Sequence, residues 1–453
     1  MNLLLIASMI FYGSWNILFL FHFLLIIIIN YFILEYYRKT RAYIVFFSLQ
    51  SLNILNLVLF KYFYFLSDLI GKIFSLEFLK SPELLRSHKE LGLEIILPLG
   101  ISFYTFQIIA YGVDIYRNPD SEKYRLRDVI LFISFFPQLI AGPILRSKEL
   151  LPHISNYESY IQNNDEVINP QKGIWLILIG VIKKIFISDQ IIPIINHYSS
   201  IPVDDRGFVF IVLLCIGFVI MLYSDFSAYS DIARGLGYLL GFEIPINFKG
   251  PFFMNSFTDL WKRWHISFST WIRDYIFIPL GGNRDGDIKL YRNILITFSL
   301  AGIWHGANLT FLFWGLSMGI FLCIESYFSD KINQLETNYR FMRVFRITIV
   351  WFLYLSSGIF FFAKNLSWAK NAIPQFFIFS LEQTKNIQYE TMLHQVPILF
   401  LVTLFFQWLE LDEKNFKIIR YGEKYIQPIA IILVSIFLIL FNKKSQSFIY
   451  FQF

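Results

Sequence analysis

The chain has 453 residues, 56% of them hydrophobic and only 16% charged, with 52 Phe and 26 Tyr. A soluble chain is about a quarter charged, so this composition excludes a surface exposed mainly to water and requires lipid to cover it. The net charge of +6 does not mark a nucleic-acid partner, because Lys and Arg sit in short connections between apolar runs, as the positive-inside bias requires.

In chain order the apolar blocks run at 3–34, 42–66, 94–116, 129–145, 173–197, 208–242, 293–326, 344–362, 371–380, 395–409 and 427–442. A spanning helix needs about 20 such residues. The first and sixth blocks are long enough for two segments each, and several others are too short to span alone. Lipid offers the backbone no hydrogen-bond partners, so helices are expected rather than open sheets. The blocks predict an all-α, polytopic membrane protein with about ten to twelve transmembrane or re-entrant helices. No internal repeat or linker divides the chain, so one membrane domain over 1–453 is expected. The longest polar connections, 71–93, 147–172, 329–346 and 411–427, are too short for a soluble domain. The first block is too long for the apolar core of a signal peptide. Cys215 and Cys323, the two cysteines, lie inside apolar stretches, which argues against a disulfide framework or a zinc site.

Segment 251–292 lies between two apolar blocks and is rich in Trp and in Lys and Arg. It predicts an amphipathic helix at the membrane surface or dipping into it, on the cytoplasmic side. Within it, Trp261, Trp264, His265 and Phe268 share a face at helical spacing, with Lys262 and Arg263 directed elsewhere. Those cations suit the phosphates of a nucleotide-type donor; the plainer reading is an interfacial anchor.

His305 lies in an otherwise apolar run, Ala301–Gly315. An ionisable group at membrane depth usually faces the interior or a wet cavity. Imidazole suits proton abstraction from a hydroxyl nucleophile. Gly302 and Gly306, four apart, permit close helix approach. From this segment alone, a core histidine bonded to Asn308 one turn on is an equal alternative. In Tyr223–Gly241, the spacing of Ser224, Ser227, Asp231 and Arg234 makes one polar stripe in which Asp231 and Arg234 pair, with Asp225 off it. These residues read either as a structural ion pair or as a tunnel wall. Pro98 and Gly100 mark a helix start, and Pro137, Gly142 and Pro143 break a helix inside the membrane.

Five segments carry a resemblance in matching order: Leu97–Gln107, Phe135–Arg146, Tyr223–Phe242, Trp261–Arg284 and Gly302–Gly315. Together they resemble the membrane-bound O-acyltransferase family, in the branch of the bacterial alginate O-acetylation membrane proteins. The resemblance implies helices around a central tunnel, His305 of the WHG segment as catalytic and His265 of the RWH segment as a second functional histidine. It implies transfer of an acyl group, acetyl above all, from a cytoplasmic thioester such as acetyl-CoA, with no permanently bound cofactor and no metal. Lys262, Arg263 and Arg273 would hold the donor phosphates, and Asp225, Asp231, Arg234 and Asn308 would be tunnel or scaffold residues. The acceptor would be a hydroxyl of an exported polysaccharide or of a partner acetyltransferase. The implied partner is a membrane-anchored, extracytoplasmic, hydrolase-like protein, and the implied location is the inner (plasma) membrane, in multiple passes.

A same-fold enzyme acting in D-alanyl transfer or lipid acylation has the same motifs. A transporter or flippase without chemistry predicts inverted repeats, which the sequence lacks. Two departures stand out. Relatives begin with one more apolar segment before Leu3–Trp15, so an upstream segment is expected. Relatives tend to carry Arg where this chain has Phe362.

Overall fold

A peptide group in lipid must be satisfied within its own helix. The computed structural model accordingly contains helices and turns and no strand among the described residues. These are residues 1–412, apart from 93, 164–167, 202–206 and 379–388, together with 428, 429, 431, 432, 434 and 448. The expected connection 411–427 and block 427–442 lie almost wholly outside them.

Among the described residues, six helices are long and apolar enough to cross a membrane: Ile17–Thr40, Tyr43–Ile73, Phe208–Leu240, Leu309–Asn338, Phe341–Phe362 and Glu390–Leu411. The remaining described elements are shorter helices, so the architecture is all-α and polytopic, as expected. The first block does break in two, at Asn16, whose side chain accepts from Leu18 N and Phe19 N and starts the second helix. Block 208–242 does not break; it forms the single helix Phe208–Leu240. Its two carboxylates, Asp225 and Asp231, find lysine partners on a neighbouring element, so neither forces the chain out of the helix.

The chain divides into two compact units, Met1–Asn169 with Gly237–Ile244, and Pro170–Leu236 with Pro245–Phe453. In the first, an aromatic and aliphatic core forms around Phe23, Ile27, Tyr104, Phe132 and Phe135. Lipid gives helices no hydrophobic reason to associate, so polar pairs serve instead. Asn30 and Asn53 exchange hydrogen bonds of 2.8 and 2.9 Å, and His22 meets Asn56 at 2.9 Å. The helix Ile101–Arg117 starts just after Gly100, as expected. The helix Leu126–Ser134 stops before Pro137. In the turn that follows, a Cβ on Gly142 would fall 2.4 Å from Gln138 Cα.

The second unit holds the four other spans, Phe208–Leu240 as far as Leu236, and the segment from Pro251 onward. That segment is not one amphipathic helix. It is divided into Pro251–Phe253, Phe257–Trp261, Ile266–Ile272 and Arg273–Phe277, followed by Asp287–His305. The Asp287–His305 and Leu309–Asn338 helices meet at Gly302 and Gly315, with Cα of each 3.0 Å from the Cβ position of the other. Gly306 is not on this face. It lies beyond the helix end, where a Cβ would strike the Phe311 ring at 2.3 Å. A Cβ at Gly315 would sit 2.2 Å from Phe298 O. Gly315→Ala is therefore expected to lower stability by about 1–3 kcal/mol through overpacking, read as a lower melting temperature of the detergent-solubilised protein.

Candidate active site

His305 is the last residue of its helix. Gly306 N–H closes the end on Ile303 O at 3.2 Å, and Asn308 caps the next helix by accepting from Thr310 N at 3.1 Å. Asn308 also donates to Lys364 O at 3.0 Å. Its side chain is thus committed to the turn, and the expected pairing with His305 along one helix does not occur because the helix has ended. The turn sends Leu309–Asn338 back along the first helix, which sets the Trp314 ring 4.9 Å from the His305 ring. Phe361, near the end of Phe341–Phe362, closes another side at 4.8 Å.

His265 also differs from expectation. The chain leaves the helix after Trp261, and His265 adopts φ 44° and ψ 53°, the left-handed region. Trp261 and His265 are therefore not on one helical face. Two backbone bonds hold this turn: Lys249 N–H to Arg263 O and Ile266 N–H to Asn247 O, both 2.9 Å. The Asn247 side-chain oxygen accepts from Ser267 N at 3.2 Å and from Ser267 Oγ at 2.9 Å, and lies 3.2 Å from His265 Nδ1. Asn247 has no place in the sequence reading; its only signal there is an amide between apolar residues just upstream of the RWH segment.

The two histidines are brought to one aromatic stack. Phe268 and Trp304 stack at 4.4 Å. His265 lies 5.0 Å from Phe268 and 6.0 Å from Trp304. His305 lies 6.3 and 4.8 Å from the same rings. Beside His305 is a cavity of about 20 Å³, lined by Phe218, Leu222, Trp261, Trp264, Trp314 and Phe361 among others, none of them charged. It has room for about one water-sized group. The indole N–H of Trp261 is buried with no hydrogen-bond partner among the described residues. Phe362 packs its ring 5.0 Å from Phe218 and 5.5 Å from Trp368, so an aromatic contact stands where relatives tend to carry Arg.

Of the candidate scaffold residues, Asp225, Asp231 and Arg234 take part in buried ion pairs, and Asn308 does not. Asp231 pairs with Arg234 at 3.7 Å, as the spacing requires, but its shorter contact is to Lys183 Nζ at 2.7 Å. Lys183 also meets Glu410 at 2.7 Å. Glu410 accepts in addition from Tyr223 OH at 2.5 Å and from Gly250 N–H at 2.9 Å. Asp225 accepts from Lys184 and from Ser188, each at 2.8 Å. Lys183 and Lys184 begin a π-helical turn, Lys183–Ser188.

The candidate donor-binding cations are placed less alike. Lys262 is exposed. Arg263 is held by Asp259 at 2.9 Å and by Lys249 O at 3.3 Å. Arg273 is exposed and pairs with Asp274 at 2.7 Å.

The structure thus brings two histidines to one aromatic stack, with an apolar cavity beside His305, in a chain whose helices are long and apolar enough to cross a membrane. Residues 116–365 match the model of the membrane-bound O-acyltransferase family, and the chain belongs to that family. It is 35% identical over 392 residues to the probable alginate O-acetylase AlgI of Pseudomonas aeruginosa, covering 85% of this chain and 71% of that protein. It is 33% identical over 397 residues to the peptidoglycan O-acetyltransferase of Helicobacter pylori, covering 80% and 71%. It is 27% identical over 289 residues to the teichoic acid D-alanyltransferase of Bacillus subtilis, covering 58% and 68%. The protein is a multi-pass membrane O-acyltransferase.

Proposed function

We propose that the protein transfers an acetyl group from acetyl-CoA on the cytoplasmic side of the inner membrane. The acceptor is a hydroxyl of an exported polysaccharide or of an extracytoplasmic, membrane-anchored, hydrolase-like acetyltransferase. The similarity to proteins named as alginate and peptidoglycan O-acetylating enzymes supports the acetyl group and the polysaccharide. The observation that carries the choice of acyl group is the lining of the cavity beside His305, which is apolar and holds no carboxylate. An uncharged acyl group suits that lining, whereas the ammonium of D-alanine would find no counter-charge in it.

In this reading His305 takes the proton from the acceptor hydroxyl as its oxygen attacks the thioester carbonyl. The C–S bond then breaks, and the CoA thiolate leaves and is protonated by the imidazolium, which restores the base. The buried Trp261 N–H is the donor suited to the carbonyl oxygen as negative charge develops on it. His265 orients the donor or assists proton movement, and Lys262 is the exposed cation available for donor phosphates.

The test is transfer of labelled acetate from acetyl-CoA by the purified chain in vesicles, with palmitoyl-CoA and a D-alanyl carrier thioester as rival donors. Acetyl-CoA is expected to be used in preference to both. Equal or better use of either rival removes the acetyl assignment. Lys262→Ala is expected to raise KM for acetyl-CoA several-fold with kcat nearly unchanged, the mark of a contact made equally in ground and transition states.

A further inference from the structure

Asn247 touches His265 at one ring nitrogen, and its own orientation is fixed independently. The atom facing Ser267 N–H must be the amide oxygen, because a backbone N–H only donates. That same oxygen lies 3.2 Å from His265 Nδ1. The other end of the amide is fixed too: Nδ2 donates to Ser230 Oγ at 3.2 Å. An acceptor at Nδ1 requires the proton to be there. His265 is packed against Phe226 at 4.5 Å and against Phe268 and Trp304, surroundings that disfavour the imidazolium. A neutral ring protonated at Nδ1 carries its lone pair on Nε2, at the opposite edge.

We propose that Asn247 is a positioning residue that fixes His265 as the Nδ1–H tautomer, so that its Nε2 acts as a hydrogen-bond or proton acceptor in acyl transfer. The functional half rests on the reading given under Proposed function; the tautomer does not. Backbone and side chain of Asn247 act together here. The carbonyl accepts from Ile266 N–H, the amide oxygen from Ser267 N–H, and so one residue caps the helix that follows His265 while orienting the imidazole. On the elements packed against His265, His305 follows Trp304, and the helix of Phe226 carries Tyr223, Asp225, Asp231 and Arg234 within about two turns of that ring. Both carboxylates are held by lysines.

Two measurements test this. The first is ¹⁵N solid-state NMR of ring-labelled histidine in lipid bilayers, with the His265 signal assigned by its loss in His265→Ala among the seven histidines. Protonated Nδ1 with bare Nε2 is expected in the parent, with mixed tautomers in Asn247→Ala. A protonated Nε2 in the parent would overturn the proposal whatever the activity. The second is a double-mutant cycle on kcat for acetyl transfer, at equal amounts of monodisperse protein. Asn247→Ala and His265→Ala are each expected to cost about 10²-fold, the low end for a positioned acid–base group. Asn247→Ala should add less than about threefold once His265 is gone, since residues acting as a unit are not additive. Losses that multiply would make Asn247 merely structural. Asn247→Asp keeps the acceptor and favours the imidazolium. It is expected to retain most activity and move the acidic limb of the pH profile to higher pH; an unmoved limb with activity retained counts against the proposal. A parent chain inert toward acetyl-CoA would overturn the donor reading alone, and the NMR result would still decide the tautomer.

Discussion

Replacing His305 with alanine is expected to lower acyl transfer by about 10²–10⁴-fold, the usual worth of a positioned general base. The imidazole stands at a helix end, between Trp304, Trp314 and Phe361, on the wall of an apolar cavity. Alanine would enlarge that cavity, and the large rings around it cannot collapse to fill it, so some stability is lost as well. His305→Gln separates the two effects, because it keeps most of the volume and removes the base. Both variants should lose transfer to a similar degree, while the glutamine variant melts close to the parent. The measurement is single-turnover acetyl transfer at equal amounts of detergent-stable protein. Transfer by His305→Gln within a few-fold of the parent would end the general-base mechanism while leaving family membership intact.

Lys183→Met is expected to destabilise the folded protein by about 3–5 kcal/mol, the cost of breaking a buried ion pair from one side. Lys183 is 1% exposed and is shared between Asp231 and Glu410. Removing the ammonium leaves two carboxylates facing each other with little water to solvate them. The expected observation is a large fall in melting temperature or in monodisperse yield. A second variant distinguishes charge from shape: Lys183→Met with Glu410→Gln removes the carboxylate left without a cation, Asp231 keeping Arg234, and should recover much of the loss. A single variant that melts like the parent would show that the pair contributes nothing to stability.

Much of this arrangement could be read from local spacing, and its limits were local too. The Asp231–Arg234 pair follows from i,i+3 geometry and is present. The stronger partner, Lys183, is 48 residues away from Asp231 and 227 from Glu410, and no periodicity reports such a contact. Gly302 was recognisable as a close-approach residue, but its counterpart is Gly315 across a turn rather than Gly306, because the helix ends at His305. The aromatic spacing of the RWH segment fits a continuous helix. His265 instead enters the left-handed region, held by backbone bonds from 247–249, a stretch whose own sequence announces nothing. For the same reason Asn247 was invisible: its importance lies in three acceptor contacts made after the chain folds back.

Glu410 ties its helix to Lys183, Tyr223 and Gly250, and this has a temporal consequence. Lys183 leaves the ribosome 227 residues before Glu410 does. At about 5–20 residues per second, the lysine waits on the order of 10–45 s for the second of its carboxylates. During that interval the nascent chain holds an ammonium with Asp231 as its one carboxylate of the two, and Gly250 lacks the acceptor that anchors the start of the His265 segment. A chain arrested before residue 410 would thus carry both histidines yet lack the fastening that sets one of them in place, and it would present to membrane quality control a polar defect that the finished protein conceals.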